Sequence, residues 1–101
     1  MRVVWTGTAR RDLAGIREYI TADSPEAARR VSQRIRDAVR KLARYPHLGR
    51  PGRVPGTREL VIPGTPYLVP YTVHRDQLAI LAVLHGAQEW PKKPTSSPSP
   101  P

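Results

Sequence analysis

The stretch from Gly56 to Pro91 constrains the fold more than any other part of this sequence. It reads GTRELVIPGTPYLVPYTVHRDQLAILAVLHGAQEWP, alternating between apolar and polar residues before it becomes almost continuously apolar. Alternation indicates antiparallel strands with one buried face, and a continuous apolar run indicates a strand covered on both faces. We therefore predict an antiparallel sheet whose most buried strand runs without a break from Leu78 to Leu84.

Two further strands are predicted within this stretch, over 57–62 and 66–73, joined by a Pro63-Gly64 turn. A proline at position 70 removes a donor from the ladder of hydrogen bonds, so it belongs at a sheet edge or at a bulge. Alternate residues of the 66–73 strand are expected to share one face: Tyr67, Val69, Tyr71 and Val73.

The first half of the chain predicts a short strand over 2–5 and then two helices. Thr8 is the expected N-cap of the first helix, and Ser24 caps the second, with Pro25 in the first helical position. The second helix is expected to bury one stripe of side chains: Ala28, Val31, Ile35, Ala38 and Leu42. The order β-αα-βββ predicts a single α+β domain over 1–91, with an N-terminal helical hairpin packed on a small antiparallel sheet.

Composition narrows the range of partners. The 101 residues include no cysteine and carry a formal net charge of +9, which excludes thiolate chemistry and favours a polyanionic partner. No apolar run approaches the ~20 residues of a membrane span, so we expect a cytoplasmic protein. The Pro- and Ser-rich tail at 92–101 is expected to be disordered.

One surface concentrates the positive charge. We call it the cationic ridge, and it consists of Arg29, Arg30, Arg34, Arg36, Arg40, Lys41 and Arg44.

The loop at 46–56 is rich in proline, glycine and arginine, and Leu48 is its expected anchor to the core. Such a loop can cradle a phosphate, but this one lacks the lysine and hydroxyl residue of a nucleotide-binding loop, so nucleotide binding is not predicted. The three histidines lack metal-ligand spacing, and no cofactor is indicated.

The remaining candidate group lies around the sheet and would either cleave RNA without a metal or be structural: Arg58, Tyr67, Tyr71 and His85.

An ordered set of motifs resembles the RelE/ParE superfamily of type II toxin–antitoxin toxins. The motifs are W-x3-A-x2-D-L-x2-I-x2-Y-I at 5–20, SPEAA at 24–28, P-x2-G-R-x-G at 46–52, GTRELV at 56–61, PYLVPYTV at 66–73 and ILAVLHGAQEWP at 80–91. The resemblance covers nearly all of the chain from Val3 to Pro91. It implies the same β-αα-βββ fold and a small toxin that a cognate antitoxin neutralises.

The superfamily contains two activities, and the resemblance favours the ParE-like one. RelE-like members are ribosome-dependent mRNA endonucleases and typically carry an arginine on the third strand before Leu-Val-Tyr. Here Tyr67 occupies that position, and replacing the arginine guanidinium with a phenol removes the group that would clamp a phosphate. Pro70 also displaces the following aromatic residue. ParE-like plasmid-stabilisation toxins instead inhibit DNA gyrase and so arrest growth. Cleavage of mRNA on the ribosome remains the alternative, with Arg58, Tyr67 and His85 as its candidate catalytic residues.

The resemblance also implies where partners bind. We expect contacts with gyrase or antitoxin at Arg30, Arg34, Arg58, Tyr67, Tyr71, Gln88 and Trp90. The antitoxin is expected to place a helix in an apolar groove, to add a strand at a sheet edge, and to form an even-numbered hetero-oligomer. Operator DNA would be contacted only through the antitoxin.

Overall fold

The computed structural model of the chain describes residues 1–91. Two helices, α1 (Gly7–Thr21) and α2 (Pro25–Leu42), follow strand β1 (Arg2–Trp5). The remaining strands are β2 (Arg50–Pro51), β3 (Arg58–Val61), β4 (Tyr67–His74), β5 (Gln77–Ile80) and β6 (Leu84–His85). The tail predicted to be disordered, 92–101, lies outside the described residues.

The sheet has the strand order β1-β5-β4-β3-β2, and β6 pairs with the beginning of β4. Four of its pairings are antiparallel, whereas β1 runs parallel to β5 at the edge. The predicted α+β class, with two helices beside the sheet, is confirmed. The two-residue strand β2 was not predicted; it lies within the stretch predicted as a loop.

The helix starts follow from hydrogen bonding by hydroxyl groups. The Ser24 hydroxyl accepts from the Ala27 amide at 3.1 Å and Pro25 occupies the first turn, as predicted. The predicted cap at Thr8 is wrong, because Thr6 caps α1 by accepting from the Ala9 amide at 3.1 Å. Thr6 also donates its hydroxyl to the Ile80 carbonyl at 2.7 Å, which ties the start of α1 to the end of β5.

The main core lies between the two helices and one face of the sheet. Helix α2 contributes Ala28, Ser32, Ile35, Val39 and Leu42 to the buried interior. The predicted stripe is therefore right at three positions, while Val31 and Ala38 are half-buried at its margin. The face predicted for β4 is confirmed, since its four residues all contact this core: Tyr67, Val69, Tyr71 and Val73.

The prediction of one continuous strand from Leu78 to Leu84 is wrong, because the strand is interrupted by a β-bulge. Tyr71 pairs with Ile80, but Leu68 pairs with Leu84, so the second strand carries one extra residue between these two pairs. Pro70 lies opposite the interruption. The Leu81 amide donates to the Pro70 carbonyl at 2.9 Å, and Pro70 has no N–H with which to return a bond.

The bulge changes which side chains face the helices. Leu78 and Ile80 contact the main core, and after the bulge Val83 does so too. Ala82 and Leu84 instead join a second cluster on Leu68. The same change turns His85 to the side of the sheet that α1 covers. Within residues 1–91, no helix is both long and apolar enough to cross a membrane.

Candidate functional site

The structure divides the four residues of the predicted catalytic group into two pairs. Arg58 on β3 lies beside Tyr71 on β4, and Tyr67 lies opposite His85 on β6. Tyr67 and Tyr71 are four residues apart on one strand, a separation of roughly 13 Å. The four side chains therefore do not surround a single reaction centre.

The first pair holds the 46–56 loop against the sheet. The Tyr71 hydroxyl accepts from the Gly49 amide at 2.9 Å and donates to the Pro46 carbonyl at 2.8 Å. Arg58 donates to the Gly49 carbonyl at 2.7 Å. Burial raises the pKa of Tyr71 above its ordinary value, against the opposing effects of the Gly49 hydrogen bond and the Arg58 charge. The phenol therefore stays protonated, as its bond to Pro46 requires.

Glu59 holds the same loop from the opposite face of strand β3. Its buried carboxylate accepts from the Arg53 amide and from the Arg53 guanidinium, both at 3.0 Å, and from Arg50 at 3.5 Å. The prediction that Leu48 anchors the loop is wrong, because its side chain is 53% exposed. Hydrogen bonds to backbone groups hold the loop in place of an apolar contact. We call the contacts of Tyr71, Arg58 and Glu59 with the loop the latch.

The charge of Glu59 is expected to make the latch sensitive to pH. Burial alone would raise the pKa of Glu59, but hydrogen bonds from Arg53 and Arg50 outweigh it and hold the pKa below its ordinary 4.5. A carboxyl group whose pKa is lower in the folded than in the unfolded protein stabilises the fold at any pH above its unfolded-state pKa. That contribution is lost as the pH falls through the pKa of the folded state.

Glu59→Gln should therefore lower the free energy of unfolding by about 2 kcal/mol at neutral pH. The deficit should shrink as the pH drops below 4.5. Denaturant titrations at several pH values measure it. Asp37→Asn is the control, because Asp37 pairs with Arg40 on the surface and such pairs contribute less than about 1 kcal/mol. A Glu59→Gln deficit that is equally large in acid would contradict this account.

The second pair lies in a cleft of about 430 Å³ between α1 and the end of the sheet. Tyr67 and His85 meet edge to face, with ring centres 6.0 Å apart. The His85 Nδ1 accepts from the Ala87 amide at 3.2 Å, which leaves Nε2 to carry the proton of the neutral ring. The cleft is lined by Arg11, Asp12, Gly15, Ile16, Tyr19, Tyr67, Val83, His85 and Gln88.

Two features of this cleft were missed from the sequence. Arg11, Gly15 and Tyr19 recur at four-residue spacing, which places them on one row of α1 facing the cleft. That spacing is visible in the sequence. The residues that face the row are not, because the bulge determines which side chains of the last strand point toward α1. The Asp12 carboxylate accepts a hydrogen bond from the Val83 amide at 3.1 Å. Helix α1 thereby supplies a hydrogen bond that the bulged strand lacks.

The other predicted contact residues are spread over the molecule. The side chain of Gln88 lies in the cleft and accepts the His85 amide at 3.1 Å, whereas Trp90 packs on Leu68 within the second cluster. Arg30 and Arg34 are exposed on α2, and Arg34 donates to the Pro63 carbonyl at 3.3 Å. Gln88 also connects the loop to the cleft, because Arg53 donates to the Gln88 carbonyl at 3.4 Å.

The fold is that of a toxin from a type II toxin–antitoxin system. A solved structure described as the chromosomal ParDE TA system from P. aeruginosa matches it with a TM-score of 0.75 and 32% sequence identity, covering 82% of this chain and 92% of that one. A protein of Sinorhizobium fredii described as "Putative toxin Y4kP" is 50% identical over 91 residues, which is 90% of this chain and 94% of that protein. Toxin RelE2 of Caulobacter vibrioides is 38% identical over 87 residues, covering 86% and 97%.

The family model described as ParE toxin of type II toxin-antitoxin system, parDE, matches residues 3–90. The chain belongs to this ParE toxin family. The predicted superfamily is thereby confirmed, and membership implies a cognate antitoxin as a partner.

Proposed function

We propose that this toxin acts by binding DNA gyrase, thereby blocking replication and arresting growth until its antitoxin neutralises it. The division of the predicted catalytic group into two distant pairs carries this proposal. Cleavage of RNA without a metal needs proton-transferring groups and a cation gathered around one phosphate. Arg58, the expected cation, instead donates to a loop carbonyl beside Tyr71. That use of the guanidinium supports a mechanism based on binding.

The latched loop is the surface that we assign to the gyrase contact. The latch uses buried polar groups to hold a loop whose own Leu48 faces solvent. Such an arrangement lowers the cost of ordering a loop on binding, which favours affinity. Leu48 lies beside Val61, which is 50% exposed, and both line a groove of about 370 Å³ next to α2. Arg58 and Tyr71 then affect the contact with gyrase indirectly, by holding the loop in position.

Inhibition of supercoiling by the purified toxin tests this proposal. Leu48→Ala should raise the half-inhibitory concentration about tenfold, which corresponds to the loss of roughly 1.4 kcal/mol of binding energy. His85→Ala should change it by no more than about twofold, as expected for a position outside the contact. The opposite ranking, with His85→Ala inactive and Leu48→Ala unaffected, would move the functional surface from the loop to the cleft.

Ribosome-dependent mRNA cleavage is the second candidate, and the cleft favours it. Arg11 would replace Arg58 as the cation, with Tyr67 and His85 as the proton-transferring groups. Tyr67 has no hydrogen-bond partner for its hydroxyl in the part of the chain that is described, so the group is free to meet a substrate. The 38% identity to a protein named RelE2 supports this alternative as well. Cleavage in a translating extract that Tyr67→Phe/His85→Ala abolishes would establish it.

A different surface fits the antitoxin. Strand β1 is the edge of the sheet and pairs on one side with β5, so its outer side can accept a further strand. A groove of about 600 Å³ runs beside it, with Val3, Trp5 and Leu13 among its apolar lining residues. Arg10 and Arg17 are among the arginines that border the groove. We assign this edge to an acidic and apolar segment of the antitoxin, within an even-numbered assembly in the cytoplasm that contacts operator DNA through the antitoxin.

A further inference from the structure

The cationic ridge is the most strongly charged surface of the molecule, and neither the latch nor the cleft uses it. From residue 25 to residue 44 the chain carries seven cations and two carboxylates, leaving five of the nine net positive charges on this one segment. All seven cationic residues are exposed. They lie opposite the face of α2 that packs in the core, so the packing of α2 fixes the direction in which the ridge points.

Three arginines of the ridge are already held by neighbouring groups. Arg34 donates to the Pro63 carbonyl at 3.3 Å, and Arg40 pairs with Asp37 at 3.2 Å. Arg36 donates to the Ser32 hydroxyl at 3.5 Å. Side chains that are ordered before binding lose less entropy when a ligand arrives. The ridge therefore presents its charge from positions that are partly fixed by the fold.

The shape of the ridge fits the backbone of a nucleic-acid duplex. Arg29 and Lys41 are twelve positions apart on α2, which spans roughly 18 Å at helical rise. Between them lies no aromatic residue, and proteins that grip single strands stack the bases on aromatic side chains. A broad cationic face without stacking groups matches the phosphates of a duplex better than the bases of a single strand.

We infer that the toxin itself binds duplex DNA through phosphate contacts along the cationic ridge, independently of base sequence. The choice of DNA over duplex RNA rests on the proposed function, since the substrate of gyrase is duplex DNA. Contacts to phosphates position a protein without reading bases. The ridge would hold the toxin on the DNA that gyrase is processing, while the latched loop contacts the enzyme.

Fluorescence anisotropy with the free toxin and a duplex of about 20 base pairs, without gyrase, tests this inference. Each phosphate contact contributes about 0.9 to the slope of log K against log salt concentration. Arg29→Gln/Arg30→Gln should therefore make the slope shallower by about 1.8 between roughly 50 and 200 mM salt. Two duplexes of unrelated sequence should bind the wild-type toxin equally.

The control variant removes the same number of charges elsewhere. Arg75→Asn/Lys92→Gln lowers the net charge equally, and asparagine tolerates the positive φ of 57° at position 75. Its slope should stay within about 0.5 of wild type, about half of one contact. An equal loss of slope in both variants would show that binding follows net charge alone and would overturn the inference. So would tighter binding to a matched RNA duplex, or no salt-dependent binding at all.

The outcome is separable from that of the proposed function because this titration contains no gyrase. If the wild-type toxin inhibits supercoiling but does not bind DNA, only the inference about the ridge fails. If it binds DNA through the ridge but leaves supercoiling untouched, only the assignment of gyrase as the target fails.

Discussion

Gly49→Ala is expected to lower the free energy of unfolding by about 3 kcal/mol, the upper range for forcing extra volume into a packed interior. A Cβ at position 49 would lie 2.7 Å from the Tyr71 ring and hydroxyl, and 2.9 Å from the Glu59 carbonyl oxygen. Since the carbonyl belongs to strand β3, it cannot move aside as a flexible side chain would. The loop must shift, and its bonds to Tyr71 and Arg58 are then lost.

Gly15→Ala provides a matched control for this prediction. An added Cβ at position 15 meets no atom within 4 Å, and alanine is favoured over glycine in a helix interior by about 1 kcal/mol. Chemical denaturation of the two variants should therefore give shifts of opposite sign. Similar stabilities for Gly49→Ala and the wild-type protein would contradict the close contact between the loop and Tyr71.

Tyr71→Phe is expected to cost about 2–3 kcal/mol, although it removes a single oxygen atom. The hydroxyl satisfies both the Gly49 amide and the Pro46 carbonyl. Without it, two backbone groups next to a fully buried ring lose their partner, and an unsatisfied buried group costs about 1–3 kcal/mol. Supercoiling inhibition should weaken together with stability, because the loop that carries Leu48 is no longer held.

The matched control for Tyr71→Phe is Tyr45→Phe, which removes the same atom from a side chain that is 57% exposed. Thermal unfolding should show a clear fall in Tm for the first variant and almost none for the second. The functional part of the prediction is checked at a temperature where both variants are folded. Full inhibition by folded Tyr71→Phe would separate the latch from the gyrase contact.

The elements whose signals are local were predictable from the sequence. Ser24 and Pro25 mark the start of α2 because a cap and a first-turn proline act within a few residues. The alternation through Tyr67 and Tyr71 was enough to assign the buried face of β4. The bulge after Ile80 was not predictable as a position, since a shift of one residue depends on the partner strand. Pro70 signalled only that some interruption was needed.

The arrangement of the candidate residues was not predictable from the sequence. Arg58, Tyr67, Tyr71 and His85 were identified by chemistry, and chemistry alone does not give the separation between them. The latch depends on bonds from side chains to the backbone of residues 46–53, which leave no periodic pattern. Leu48 was assigned to the core on apolarity, whereas polar contacts hold its loop.

Inhibition of gyrase is tested most directly on one preparation of toxin assayed for two activities, supercoiling of plasmid by gyrase and cleavage of mRNA in a translating extract. We predict inhibited supercoiling with linearised plasmid, and intact mRNA. Cleaved mRNA with undisturbed supercoiling would contradict it, and would place a working nuclease in the cleft of Arg11, Tyr67 and His85.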